Sequence, residues 1–152
     1  MIAPLPIRPT VRAVIRRDGK FLIQVKQRPD GRRYLTLPGG RQEPGETMQA
    51  CLIRECEEEI GIAPTIGDVL HVADVTRIRP DAEDRQLIEI LFACTVPDSY
   101  RPQMGARPDK RQVQVRWVDP ETDGPAFVPR YDLALGRGDA PVYLGALRSE
   151  TA

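Results

Sequence analysis

Apolar and polar side chains alternate in the first part of the chain with the two-residue period of a half-buried strand. This pattern covers residues 10–17, and an apolar run returns over residues 21–26. Asp18-Gly19, between the two segments, is typical of a tight hairpin turn. We therefore predict a β-hairpin, followed by a short third strand over residues 34–37.

The period changes to that of an α-helix over residues 47–60. Thr47 can cap the first turn, and Gly61 stands where a left-handed C-cap belongs. At about 100° per residue, one arc of this helix is apolar and can face a core. Its members are Leu52, Ile53, Cys56 and Ile60.

The carboxylates of Glu55, Glu58 and Glu59 share a second face of the predicted helix, whereas Glu57 points to the far side. Such clustering costs free energy unless a cation neutralises it, because like charges repel at short range. Oxygen ligands of this kind suit Mg²⁺ or Mn²⁺. A run of glutamates is also typical of a solvated helix face, so the cluster alone leaves both interpretations open.

The second half of the chain predicts three more strands, with proline-containing loops between them. They cover residues 68–78, 86–96 and 113–118, and a short helix is expected over residues 130–135. Strands around one long helix, without a repeat or a linker, indicate a single mixed α/β domain over residues 1–152.

The charge, apolar content and cysteine content of the chain limit which partners and which cellular compartment we expect. The chain carries 22 Lys and Arg against 22 Asp and Glu, so we expect no broad basic surface for a nucleic-acid polymer. No window is apolar enough for a membrane span, and no signal peptide is visible. Three cysteines and one histidine cannot form a conventional Cys/His zinc site. We therefore expect a cytoplasmic protein with reduced thiols.

The segment over residues 40–62 has a specific spacing of glycine, glutamate and arginine, GRQEPGETMQACLIRECEEEIGI. Its fixed positions are Gly40, Glu46, Arg54, Glu55, Glu58, Glu59 and Gly61. This spacing resembles the Nudix box of the Nudix hydrolase family. The one departure is Cys56, where an aliphatic residue is usual, and a buried thiol packs as a small hydrophobe.

The resemblance implies a fold and a reaction. The fold is of the α/β (α+β) class, a Nudix-type α/β/α sandwich with a mixed sheet and a central catalytic helix. The reaction is Mg²⁺- or Mn²⁺-dependent hydrolysis of a phosphoanhydride bond in a nucleoside diphosphate linked to another group, with a small-molecule nucleotide as substrate. The alternative is a Nudix-like nucleotide-binding sensor that has lost catalysis. Whether two copies form a homodimer is left open.

The same resemblance implies roles for individual residues. The metal ligands are the carbonyl oxygen of Gly39 and the carboxylates of Glu55, Glu58 and Glu59. Arg54 and Glu46 are expected to pair and to hold the loop against the helix.

Further candidates lie outside the segment. An additional acid, acting as metal ligand or base, is expected from Asp109 or from Glu89. A solvated loop position for Asp109, and a structural salt bridge for Glu89, are the competing interpretations. The predicted contacts to the substrate are Arg28, at the end of the second predicted strand, and Gly40, at the start of the segment itself.

Overall fold

The computed structural model describes residues 5–150. The strands are β1 (Arg8–Arg17), β2 (Lys20–Gln27), β3 (Arg33–Thr36), β4 (Gly39–Arg41), β5 (Thr65–Ile78), β6 (Arg85–Thr95), β7 (Gln112–Val118) and β8 (Tyr143–Glu150). The helices are α1 (Met48–Ile60), α2 (Pro120–Asp123) and α3 (Asp132–Leu135), and a 3₁₀ turn covers Gly124–Ala126. The predicted mixture of strands around one long helix is confirmed.

The strands form one curled mixed sheet in the order β3-β2-β1-β6-β5-β8, with β4 paired to β1 and β7 paired to β2. β1 runs parallel to β6, and β5 runs parallel to β8, whereas the other pairs are antiparallel. β1 pairs with β2 only beside their turn, at Arg16 and Arg17, and then continues between β4 and β6. The sheet therefore splits along β1, and this split creates room for a cleft.

The turn between β1 and β2 has the backbone conformation that its sequence predicts. Asp18 has a φ of 52° and Gly19 a φ of 76°. Two consecutive residues with positive φ match the right-handed twist of the flanking strands, and aspartate followed by glycine tolerates them best. The predicted hairpin is confirmed.

Helix α1 covers one face of the sheet, and the segment around α3 covers the other. The layer under α1 contains Val11, Ala13, Ile15, Leu22, Ile90, Phe92 and Cys94 from the strands. The opposite layer contains Val14, Phe21, Ile23, Val25, Leu87 and Leu91, covered by Phe127, Tyr131 and Leu135. Alternate residues of the same strands enter the two layers, which makes the sheet the middle of an α/β/α sandwich.

Both ends of α1 are closed as the sequence predicts. The Thr47 side chain accepts a 3.0 Å hydrogen bond from the backbone of Ala50, and Gly61 has a left-handed φ of 77°. The last carbonyl groups are satisfied by the loop that follows β6. Tyr100 donates its hydroxyl to the carbonyl of Ile60 at 2.7 Å, and Gln112 donates its amide to the carbonyl of Glu59 at 2.7 Å. This loop therefore lies against the C-terminal end of the helix.

The structure corrects three details of the predicted elements. Ile53 is 36% exposed, so its prediction as a core residue is wrong, and Cys51 is buried instead. The predicted short helix over residues 130–135 is confined to α3. Strands β4 and β8 were not predicted, because β4 begins with two glycines and β8 has little apolar alternation. None of the helices within residues 5–150 is both long and apolar enough to cross a membrane.

Candidate active site

A cleft of about 690 Å³ opens where the sheet splits, between the loop before α1 and strands β5 and β6. Its acidic lining residues are Glu43, Glu55, Glu59, Asp81, Glu89 and Asp109. Its basic lining residues are Arg8, Arg12, Lys26, Arg41, Arg77, Arg79, Arg85 and Arg111. Carboxylates that can hold a cation therefore face the same space as basic side chains, and those basic side chains without a protein acceptor can hold phosphate.

Gly39 is the first residue of β4 and lies at one end of the cleft. Its φ of 140° lies in a region that favours glycine, and a Cβ atom there would collide with the carbonyl oxygen of Val11. The Gly39 nitrogen donates a 2.9 Å hydrogen bond to Oε1 of Glu59. Glycine is thus required here for close approach of two backbones.

Glu59 is the most buried carboxylate of α1, with an exposed fraction of 4%. Its Oε2 accepts a 2.7 Å hydrogen bond from the side-chain amide of Gln24, in addition to the Gly39 contact on Oε1. Burial raises the pKa of Glu59 to about 7, against the opposing charges of Arg12 and Lys26. A buried carboxylate of this kind is stabilised in its charged form by an added cation.

Glu55 lies one turn earlier on the same side of α1, directly against Gly40. A Cβ atom at Gly40 would lie 2.5 Å from Cδ of Glu55, so glycine leaves the space that this carboxylate occupies. Burial raises the pKa of Glu55, although the neighbouring Arg54 guanidinium opposes the shift. Glu55 and Glu59 are therefore both partly or fully buried carboxylates at the same end of the cleft.

Arg54 ties the loop before α1 to the helix, as the resemblance implies. Its Nε lies 2.7 Å from Oε2 of Glu46, and its Nη2 lies 2.9 Å from Oε1 of the same carboxylate. This bidentate pair lowers the pKa of Glu46 to about 2. Nη1 of Arg54 also lies 3.0 Å from Glu55 and 3.6 Å from Glu58. The guanidinium therefore neutralises part of the carboxylate cluster.

Glu58 and Glu57 lie on the outer side of α1, beside Arg107. Glu57 is exposed, and Glu58 is partly buried against Arg54. Of the three predicted acidic ligands, the structure thus brings Glu55 and Glu59 into the cleft and leaves Glu58 at its margin. In this conformation, no three acidic, histidine or cysteine side chains of residues 5–150 converge as a ready-made metal cluster.

A family model described as NUDIX domain matches residues 6–127. The chain belongs to the NUDIX domain family. It is 43% identical over 114 residues to a CTP pyrophosphohydrolase of Escherichia coli, an alignment that covers 73% of this chain and 75% of that protein. It is 32% identical over 87 residues to an ADP-ribose pyrophosphatase of Methanocaldococcus jannaschii, covering 57% of this chain and 49% of that protein.

The fold is also that of solved NUDIX structures. A NUDIX hydrolase from Nitrosomonas europaea matches with a TM-score of 0.68 over 86% of both chains, at 20% sequence identity. At this identity the likeness concerns the fold alone. It confirms the predicted fold class, a mixed sheet with few helices.

NUDIX enzymes depend on divalent metal ions, and the residues at the end of the cleft fit such an ion chemically. The donors there are carboxylate and carbonyl oxygens, the ligands that hard divalent cations prefer. Burial raises the pKa of both Glu55 and Glu59, so a bound cation would stabilise their charged forms. The carbonyl of Gly39 faces the same end and accepts a 3.1 Å hydrogen bond from Arg12.

Asp109, in the loop after β6, lines the cleft and forms an ion pair of 3.3 Å with Lys26. Although burial acts to raise it, the Lys26 ammonium keeps the pKa of Asp109 below its usual range. The loop reaches the cleft because it is fixed to the end of α1. Asp109 is therefore placed where a NUDIX enzyme could use an additional acid.

Glu89, the other candidate acid, is 1% exposed at the base of the cleft. Its Oε2 accepts hydrogen bonds from Thr10 at 2.8 Å and from Arg12 at 3.1 Å, and its Oε1 accepts from Tyr131 at 2.6 Å. Arg12 in turn donates to the carbonyl of Gly39. Both oxygens of Glu89 are thus engaged in a structural network, which favours the salt-bridge interpretation.

Arg28 is directed elsewhere in this conformation. Its Nη2 donates a 2.8 Å hydrogen bond to the carbonyl of Glu150, and its guanidinium lies 4.4 Å from the centre of the Tyr34 ring. Gly40, the other predicted substrate contact, does line the cleft.

Sequence reasoning missed Gln24 and Lys26 as residues of the site. Both are polar positions of β2 next to its apolar residues, and both side chains reach acidic groups of the cleft, Glu59 and Asp109 respectively. A buried polar residue within an apolar strand is the signal that could have identified them.

Proposed function

We propose that this protein hydrolyses a phosphoanhydride bond of a nucleoside diphosphate linked to another group, with a divalent metal ion bound by residues at the end of the cleft. The reaction class is that of a NUDIX pyrophosphohydrolase. The observation that carries the residue assignment is the meeting of Glu55, Glu59 and the Gly39-Gly40 backbone in a cleft that also holds several arginines.

Each residue of the end of the cleft has a part in this proposal. Glu55, Glu59 and the Gly39 carbonyl would hold the ion, and Glu58 would join them by leaving its 3.6 Å contact with Arg54. The bound ion would offset the charge of the phosphate oxygens and lower the pKa of the attacking water. Arg54 and Glu46 are positioning residues, because their pair fixes the loop between α1 and β4, the strand that contains Gly39 and Gly40.

We expect the ion to be Mg²⁺, with Mn²⁺ as a substitute. The candidate ligands are oxygen atoms alone, and both ions keep water molecules while they bind phosphate oxygens. Asp109 is the candidate for an additional acid from the opposite side of the cleft. Its ion pair with Lys26 keeps it charged and close to the bound substrate.

The substrate we propose is a small nucleotide. The cleft of about 690 Å³ lies within the range of small-molecule sites, roughly 300–1,000 Å³. The two curated relatives are named for a nucleoside triphosphate and for a nucleoside diphosphate linked to a sugar. These two names define the substrates to try first.

We also expect the protein to work in the reducing environment of the cytoplasm. Cys51, Cys56 and Cys94 are free and buried. Burial raises the pKa of Cys51 and of Cys94 to about 12, so neither is a reactive thiolate.

A substrate panel with identified products tests this function. CTP, ADP-ribose and a nucleotide sugar are incubated with Mg²⁺, with and without excess chelator, and the released phosphates are identified by ³¹P NMR. We expect cleavage between two phosphorus atoms that stops on chelation. Binding of nucleotide without any metal-dependent product would favour the catalytically inactive sensor instead.

A further inference from the structure

The wall of the cleft formed by β5 and β6 carries two arginines in direct opposition. Arg77 of β5 and Arg85 of β6 are Cα partners in the antiparallel ladder, and both line the cleft. Like charges directly opposite each other on two strands are destabilising. Neither side chain forms an ion pair or a hydrogen bond with any of residues 5–150. A bound anion would remove this repulsion.

Arg77 has a buried donor without a partner. Its Nε is shielded from solvent, and within residues 5–150 it has no hydrogen-bond acceptor. Buried polar groups in folded proteins are almost always hydrogen-bonded. The unpaired N–H of Arg77 is therefore suited to an acceptor atom of a bound ligand. A guanidinium presents its donors in a planar fork that matches the oxygens of phosphate or carboxylate.

Ser149 completes the wall. It is the partner of Arg77 in the parallel ladder between β5 and β8, it is buried, and it lines the cleft. With the hydroxyl of Ser149 on one side of Arg77 and the guanidinium of Arg85 on the other, the wall offers three donor groups from three strands. Phosphate, with more acceptor oxygens than carboxylate, uses such a set most completely.

Arg79, the first residue after β5, lines the same wall, but its guanidinium has a hydrogen-bond acceptor within the protein. Its Nε and Nη2 donate to the carbonyl of Glu83 at 3.0 and 2.8 Å. On this wall Arg79 has an acceptor of its own, whereas Arg77 and Arg85 have none within residues 5–150, so Arg79 serves as a control.

Arg85 is the first residue of β6 and lies before Glu89, away from the end of the cleft that holds the carboxylates of α1. Arg85 precedes Glu89 by four residues on β6, about 13 Å of extended strand. Glu89 is linked through Arg12 to the carbonyl of Gly39. A substrate whose phosphoanhydride lies beside Gly39 and Glu59 would therefore reach Arg77 and Arg85 with a different part.

We infer that Arg77, Arg85 and Ser149 form a subsite for a second phosphate of the substrate, separate from the phosphoanhydride that is cleaved. This inference rests on the proposed function. It specifies the substrate class as a nucleoside diphosphate linked to a group that itself carries a phosphate. A third phosphate directly adjoining the cleaved anhydride would stay at the Gly39 end, because only one bridging oxygen separates it.

The first test measures binding without catalysis. Inorganic phosphate is titrated into metal-free protein in excess chelator, and its dissociation constant is measured by calorimetry for wild type, Arg77→Gln and Arg79→Gln. We expect a loss of about tenfold or more for Arg77→Gln, the effect of one charge-assisted hydrogen bond. Arg79→Gln should stay within about twofold, because its guanidinium is already satisfied.

Equal affinity in wild type and Arg77→Gln would overturn the subsite, and so would an equal loss in Arg79→Gln. Arg77→Lys separates folding from binding, since it retains the positive charge but not the fork. It should recover part of the affinity, and circular dichroism should show that all variants are folded.

The second test asks whether the substrate uses the subsite. A nucleoside diphosphate linked to a neutral sugar is compared with the same compound bearing a phosphate on that sugar. We expect wild type to have a KM at least about tenfold lower for the phosphorylated compound. This ratio should fall towards one in Arg77→Gln and persist in Arg79→Gln. Equal KM values in wild type would contradict the inference.

Failure of the proposed function would look different. A wild-type protein that cleaves neither compound in Mg²⁺ removes the hydrolase assignment. The phosphate titration, which needs no metal and no turnover, would still decide whether Arg77 binds an anion.

Discussion

The backbone nitrogen of Gly39 donates a 2.9 Å hydrogen bond to Oε1 of Glu59 and thereby fixes strand β4 against the last turn of α1. The other oxygen of Glu59 accepts from Gln24 of β2 at 2.7 Å. One buried carboxylate thus connects three elements that are distant in sequence. Because it is buried, its charge is costly without a cation, and its position at the end of the cleft makes it the central candidate ligand.

The first prediction concerns the stability of the metal-free protein. Glu59→Gln should not destabilise the fold at pH 8, and should raise the free energy of unfolding by about 1–3 kcal/mol, because a buried charge is removed. Once the Gln24 amide turns over, its Oε1, which has no hydrogen-bond partner within residues 5–150, can accept from the new amide. Urea unfolding in excess chelator measures the difference. A loss of several kcal/mol would show that the ionised carboxylate stabilises the fold.

The second prediction concerns the buried pair of Glu89 and Arg12. Glu89→Gln should lower the free energy of unfolding at pH 7 by about 3–5 kcal/mol, because it leaves the Arg12 charge buried without its counter-ion. Asp139→Asn, in the exposed pair with Arg137, should leave it nearly unchanged, because solvent screens this pair. Equal effects of the two substitutions in urea unfolding would show that the buried pair is not structural.

The same pair gives the stability of the protein a defined dependence on pH. Although burial acts to raise it, Arg12 and two hydroxyl donors keep the pKa of Glu89 below its usual value of 4.5. A carboxyl whose pKa is lower in the folded state contributes stability above its unfolded pKa and loses it as the pH falls. The gap between wild type and Glu89→Gln should therefore shrink below about pH 4.5. A gap that stays constant from pH 7 to pH 3 would contradict this assignment.

The third prediction separates two aspartates of the same loop. Asp109 lines the cleft and pairs with Lys26, whereas Asp98 is exposed. Asp109→Asn should lower kcat by about tenfold to a thousandfold if this residue acts as ligand or base. Asp98→Asn should leave kcat unchanged. Small and equal effects of the two substitutions on kcat would show that Asp109 is not the additional acid.

Much of the fold could be predicted because its signals are local. The hairpin at Asp18-Gly19 and the caps of α1 at Thr47 and Gly61 depend on residues a few positions apart. The spacing of the Nudix box is equally local, since most of it lies on one helix and the loop before it. The Arg54–Glu46 pair followed from that spacing.

Features that depend on tertiary pairing could not be predicted in the same way. Whether Glu58 faces the cleft depends on the competing contact with Arg54, and whether Arg28 faces it depends on the carbonyl of Glu150. The opposition of Arg77 and Arg85 is set by the register between β5 and β6, which includes two irregularities. Such irregularities shift the partner of each residue, so the sequence pattern of the two strands does not by itself pair Arg77 with Arg85.

The turnover of Glu59→Gln in saturating Mg²⁺, set against Glu57→Gln on the same helix, tests the central claim most directly. Glu57 is exposed on the outer side of α1, so its variant should keep the turnover of wild type. Glu59→Gln should lose about two to four orders of magnitude in kcat, the effect of one electrostatic contact to the transition state. A folded Glu59→Gln protein with a kcat close to that of wild type would contradict the assignment of Glu59 as a metal ligand.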